Sequence, residues 1–228
     1  MVGFLGGFVR HDEPHHPEVQ LIRELRQEYP KGVYFGLFEN RKVGAAYKTI
    51  LKLLGTKERD VLSGDKKRQA RIVLFGHSWG ASAVVSLSRK LERAGIPVML
   101  TIQIDSVAKP FQNDWLIPGN VLEGVNFYQT HGLIHGRQKI VPADPAHTTI
   151  LGNFLRVYKE DPAGCRGFSW RAHFLSKGHI QIECDPKVWL EVRALLDRRL
   201  PSPAHAQTDA SEPALPPLRD DRNGSRPR

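Results

Sequence analysis

Short apolar runs alternate with stretches of helical rhythm along most of this chain. Val2, Phe4 and Leu5 open a run at residues 2–7 that reads as a buried strand. From residue 17 to 29 the rhythm changes: Val19, Ile22 and Leu25 recur at intervals of three, Pro17 suits a first helical turn, and Pro30 stops the helix. A second apolar run at 33–38 is followed by a helical pattern at 44–54 that ends at Gly55. Residues 56–70 are polar and charged and read as a connection. The clearest strand, 71–75, leads into a Gly- and Ser-rich turn and then a helix to about residue 94. Residues 98–105, 125–129 and 149–155 read as further strands. Val188, Trp189, Val192, Leu195 and Leu196 give a last helix at 186–199 its apolar side. Strand and helix in alternation predict an α/β fold with a mostly parallel sheet and helices on both faces. From residue 201 onward Pro, Ser, Ala and charge replace any periodicity. The expected organisation is therefore one domain over 1–200 and a disordered tail over 201–228.

The length of 228 residues, with 40% hydrophobic and 25% charged, suits a single globular domain with a sizeable core. No apolar run approaches the roughly 18–20 residues that span a bilayer, so no transmembrane segment is expected. The opening run lacks a basic segment before it and a small-residue cleavage site after it. With only Cys165 and Cys184, too few for a disulfide scaffold and without metal-ligand spacing, a cytoplasmic location is the default expectation.

Basic residues outnumber acidic ones, 33 to 24, for a net charge of +9. The tail carries Asp209, Glu212, Asp220 and Asp221 against Arg219, Arg222, Arg226 and Arg228, so the excess belongs to the folded part. Such a charge favours anionic partners in general. Nucleic acid is not the expected partner, because the basic residues are scattered and no basic run is interleaved with aromatic stacking residues. The densest group, Lys66, Lys67, Arg68 and Arg71, precedes a buried strand and reads as a solvated loop. His11, His15 and His16, beside Asp12 and Glu13, match no metal-ligand spacing and read as a Pro-punctuated solvated loop.

Chemistry concentrates at Gly76-His77-Ser78-Trp79-Gly80, a Gly-x-Ser-x-Gly string. The string alone is common, but here an apolar strand runs into it and a helix opening with Ala81, Ser82 and Ala83 runs out of it. A sharp turn in that setting holds the serine in a strained conformation with its oxygen exposed, and the glycines keep side chains away from neighbouring backbone. At these residues the chain resembles the α/β-hydrolase superfamily, in particular its esterases, lipases and thioesterases. The resemblance covers residues 1–200 and is strongest over 71–107. The superfamily usually has two strands ahead of the one expected at 2–7, so the resemblance implies either a minimal architecture lacking the earliest strands or a late-started chain.

That resemblance makes Ser78 the nucleophile. It makes the Trp79 amide one oxyanion donor, with the second donor from the Gly7–Phe8 turn. A serine needs a base and an orienting acid, and the superfamily's chain order is Ser, acid, His. Asp105, at the end of the following strand, is the expected acid. Asp144 is the leading alternative, and Asp114 and Asp161 are further ones. The superfamily places its histidine on a loop after the last strand and before the final helix. His179 fits that position, with Gly178 to turn the loop; His173 and His147 are alternatives. The resulting expectation is a serine hydrolase that cleaves a small ester or thioester through an acyl-enzyme, with no cofactor and no metal. The alternative is a catalytically inactive binding protein on the same fold, holding an anionic partner.

Overall fold

Six of the apolar runs lie side by side in one sheet, whose central strands are buried on both faces while the edge strand at Thr149–Leu155 keeps exposed positions. The computed structural model describes residues 1–7, 9, 13–56, 63–110, 112–167 and 170–201. In chain order its elements are β1 (Val2–Leu5), α1 (Pro17–Glu28), β2 (Gly36–Glu39), α2 (Val43–Leu53), α3 (Gly64–Gln69), β3 (Val73–His77), α4 (Trp79–Arg93) and β4 (Val98–Ile104). There follow β5 (Leu116–Ile117), β6 (Val121–Tyr128), β7 (Val141–Pro142), β8 (Thr149–Leu155), a 3-10 turn (Ala163–Gly167), α5 (Trp170–Glu183) and α6 (Pro186–Asp197). The main sheet has the order β2-β1-β3-β4-β6-β8, and every pairing in it is parallel. Strands β5 and β7 form a separate two-stranded ribbon.

Side-chain alternation divides the core between the two faces of the sheet. Val2, Phe4 and Leu74 pack with Tyr47 and Ile50 of α2 and with Val84 and Leu87 of α4. Val73, Phe75, Ile102 and Val125 pack on the other face with Ile22 and Leu25 of α1 and with Val188 and Val192 of α6. Phe4, Phe75 and Phe127 are fully buried; each such side chain stabilises the fold by roughly 1.5–3 kcal/mol. The start expected for the last helix is present: Pro186 occupies its first turn and Asp185 accepts a hydrogen bond from the Lys187 amide at 2.9 Å.

The chain leaves β1 outward to β2, then crosses back over β1 to β3. The order of strands therefore reverses between β1 and β3, the kind of switch point beyond whose strand carboxyl ends ligands bind in open α/β sheets.

Two expectations fail in the last third of the chain. Residues 170–183, expected to hold a loop around His179, form helix α5. Cys165 and Cys184, too few for a disulfide scaffold, nevertheless form one disulfide, between the 3-10 turn and the residue just after α5. Disulfides persist in oxidising compartments and are rare in the cytoplasm, which sets this pairing against the cytoplasmic expectation. The polar connection before β3 also contains the short helix α3. Among the described residues no helix is long and apolar enough to cross a membrane. The tail expected to be disordered, from residue 202 on, lies outside the described residues.

Candidate active site

Ser78 stands where β3 gives way to α4, with φ 56° and ψ −126°. A non-glycine residue held there stores of order 1–3 kcal/mol of strain, so its surroundings must hold it in place. They do so through the backbone. The Ser78 amide donates to the Ile104 carbonyl at 2.9 Å, and the Ser78 carbonyl accepts from the Ala81 and Ser82 amides at 3.1 and 3.3 Å. The two glycines of the motif are required by close backbone approach. A methyl on Gly76 would fall 2.6 Å from the Gly80 carbonyl carbon, and one on Gly80 would overlap the Phe4 carbonyl of β1.

The Ser78 hydroxyl lies 2.8 Å from Nε2 of His179, and Nδ1 of His179 lies 2.6 Å from Oδ2 of Asp105. A carboxylate only accepts, so the proton between His179 and Asp105 sits on Nδ1, which leaves Nε2 as the acceptor for the serine hydroxyl. Ser78, Asp105 and His179 are all buried. Their distances define one hydrogen-bonded line drawn from three elements: the β3–α4 turn, the end of β4, and α5.

Asp105 is held in place more fully than any sequence pattern discloses. Its φ is 44°. Oδ1 accepts from the Gly136 amide at 2.8 Å and the Gln129 amide at 3.2 Å, while Oδ2 also accepts from Gln129 Nε2 at 2.8 Å. Burial opposes ionisation of this carboxyl. The hydrogen bond and charge of His179, together with the Gln129 bond, outweigh burial and hold Asp105 below the usual carboxylate range. Gly136 must be glycine here, since a methyl on it would fall 2.5 Å from the Asp105 Cα. Asp114, one of the alternative acids, instead braces this loop: it accepts from Ser106 Oγ at 2.7 Å and from Arg137 Nε at 2.9 Å.

The remaining candidates lie elsewhere. Asp144 and His147 pair with each other at 2.7 Å on the exposed surface. Asp161 accepts from Gln181 at 2.8 Å. The His173 side chain lies outside the described residues. His179 is on a helix rather than the expected loop, so Gly178 does not turn a loop. Its role is close packing: a methyl there would fall 2.6 Å from the His131 carbonyl oxygen and would overlap the Gln129 side chain.

Of the expected oxyanion residues, Trp79 is the first residue of α4, where the helix N-terminus favours developing negative charge. Gly7 follows β1 with φ +44°, and its neighbour Gly6 runs so close that a methyl on it would meet the Ser78 Cβ at 3.0 Å. Phe8 lies outside the described residues. Gly7 and Trp79 share a pocket of about 130 Å³ with Asn40, Arg41 and Lys109. Asn40, which the sequence pattern did not single out, donates to the Gly7 carbonyl at 2.5 Å and accepts from Lys109 Nζ at 2.5 Å. His77, inside the motif, lays its ring over His179 with centroids 4.5 Å apart. Burial keeps its imidazole far below the usual histidine range, at about 4, despite the charge of Glu183.

Neither protein-family models nor curated proteins match this sequence.

Proposed function

We propose that the protein is a serine hydrolase that cleaves a carboxylic ester or thioester through an acyl-enzyme on Ser78. The observation that carries this reading is the continuous line from Ser78 Oγ through His179 to Asp105, with bonds of 2.8 and 2.6 Å, beyond the carboxyl ends of β3 and β4. A buried serine bonded to a histidine whose other nitrogen is fixed by a carboxylate is what an activated hydroxyl needs.

His179 Nε2 takes the Ser78 proton as Oγ attacks the acyl carbon. The carbonyl π pair moves onto oxygen, where the Trp79 amide and the turn at Gly7 stabilise it. His179 then returns the proton to the departing alcohol or thiol, and the acyl group remains on Ser78. Water repeats the sequence, with His179 again taking a proton, and releases the acid. Asp105 keeps Nδ1 protonated throughout and stabilises the imidazolium. A preorganised oxyanion donor contributes roughly 3–4 kcal/mol to the barrier reduction. The pocket of about 130 Å³ suits a small group; its wall carries Lys109 and the Arg41–Glu39 ion pair.

Labelling with a fluorophosphonate, followed by peptide mass mapping, tests the reading, with Ser78→Ala as the control. Mass on the Ser78 peptide of the wild type alone is the expected result. A folded protein that takes no label would overturn it in favour of an inactive binding protein.

A further inference from the structure

A second cluster of ionisable side chains lies behind the motif, and the hydrolase chemistry does not use it. His16 caps the N-terminus of α1, Glu18 occupies the first turn of that helix, and Glu183 ends α5. His16 Nδ1 is 2.6 Å from Glu183 Oε1, and His77 Nδ1 is 3.5 Å from Glu183 Oε2. The loop that precedes α1 therefore contributes a partly buried histidine, where the sequence pattern led us to expect a solvated segment. The missing signal was Glu183, which stands 167 residues away from His16.

We propose that His16, Glu18 and Glu183 bind a divalent transition-metal ion, with zinc as the best-fitting species. One ligand atom from each residue lies within 4.8 Å of the other two. Glu18 is 1% exposed, and among the described residues neither of its carboxylate oxygens has a hydrogen-bond partner. Nor does any described lysine or arginine pair with Glu18 or Glu183. Glu183 is bonded to His16 at 2.6 Å, so the carboxylate left without a partner is Glu18, and a bound proton or a metal ion relieves the cost of burying it.

The donor set chooses between metals. One imidazole nitrogen with two carboxylate oxygens suits zinc, whereas calcium and magnesium want six or more ligands, all of them oxygen. Tetrahedral zinc, with bonds of about 2.0–2.1 Å, holds its ligand atoms about 3.3 Å apart. Closing the site would bring Glu18 toward the other two residues and let His16 Nδ1 and Glu183 Oε1, 2.6 Å apart without metal, separate slightly. His77 stands behind Glu183 as an outer partner of the kind that orients ligating carboxylates. Its own Nε2 is buried without a partner among the described residues. Burial, and then the charge of Glu183, push the Glu18 carboxyl up to about 8. Bound zinc would tie the start of α1 to the end of α5, one helical turn beyond His179.

The test is calorimetric titration of zinc chloride into tag-free, chelator-treated full-length protein, with parallel titrations of calcium and magnesium and melting curves for each. The expected result is one zinc per chain, a zinc-dependent rise in melting temperature, and no response to calcium or magnesium. Glu18→Gln and Glu183→Gln, which keep side-chain shape, should each weaken zinc binding by at least about tenfold. Asp144→Asn, at the exposed His147 pair, should leave it unchanged. Absence of zinc binding by folded wild type would overturn the proposal and leave Glu18 a buried neutral acid. Binding that survives both glutamine variants would also overturn it, and its loss in Asp144→Asn would assign the ion to the surface pair. Ser78→Ala should bind zinc as wild type does, so this outcome is separate from that of the labelling experiment.

Discussion

The backbone of Gly178 lies against the side chain of Gln129, so closely that a methyl group on Gly178 would overlap the Gln129 amide oxygen. Gln129 is the residue that donates to Asp105 Oδ2 at 2.8 Å, and Gly178 immediately precedes His179. The side chain that supports Asp105 and the helix that carries His179 are thus packed into each other. Gly178→Ala sets two effects in opposition. Alanine favours a helix interior by about 1 kcal/mol, but its methyl would also sit 2.6 Å from the His131 carbonyl, a backbone atom that cannot rotate away. Helix α5 must then move, and His179 moves with it. Turnover of a p-nitrophenyl ester should fall roughly 10- to 100-fold while the circular dichroism spectrum is retained. Turnover close to wild type would show that α5 can shift without separating His179 from Ser78.

Residues that act as one unit lose their effect together. Ser78→Ala and His179→Ala should each lower kcat by roughly 10⁴- to 10⁶-fold. Asp105→Asn should lower it by roughly 10⁴-fold, because the amide can donate to His179 and so favours the wrong tautomer. The double variant of Ser78 and His179 should be no slower than the slower single variant. Steady-state rates on one activated ester decide this. Multiplying losses would mean that the two side chains act independently, against the 2.8 Å bond between them.

The local signals that sequence carries are those this fold expresses locally. The apolar runs around Leu74, Ile102 and Phe127 could only be buried strands, and the turn at Ser78 could be read because its glycines and its flanking elements are contiguous. Helix α5 could not be read that way. Ile180 and Ile182 alternate as a strand would, Gly178 interrupts a helical pattern, and no single apolar stripe runs through Trp170–Glu183. Tertiary packing against the Asp105 loop, and the Cys165–Cys184 link, override that weak local preference. The supports of Asp105 are hidden for the same reason. Gln129 and Gly136 lie 24 and 31 residues away from it, and Asn40 lies 33 residues from Gly7. Contacts at such separations leave no periodic trace.

Asp105 should also make stability depend on acidity. Its folded carboxyl lies below the ordinary carboxylate range, so the unfolded chain binds the proton more readily. The stability this provides is fully present above the ordinary carboxylate pKa and is lost as pH falls through the lower, folded value. Denaturant unfolding of wild type and Asp105→Asn at pH 7, 5, 4 and 3 checks the sign. Wild type should be the more stable at pH 7, and the gap should narrow as acid is added. A gap that stays constant would mean that ionisation of Asp105 contributes nothing to folding.

The Cys165–Cys184 disulfide closes a loop of sequence separation 19, and that loop contains His179. In the chain-entropy account, a loop of this length stabilises the fold by about 3 kcal/mol by restricting the unfolded chain. The bond also anchors the residue just after α5, five positions beyond His179, to the 3-10 turn at Ala163–Gly167. Reduction should therefore lower both stability and turnover. Cys165→Ser/Cys184→Ser should reproduce both losses and abolish the response to reductant. The measurement pairs denaturant unfolding with ester hydrolysis, before and after reduction, and alkylation with mass analysis reports how many thiols are free. Two free thiols in unreduced protein would remove the link from the native state. A link that forms and can be cut with no change in turnover would show that the packing of Gly178 against Gln129 holds His179 by itself.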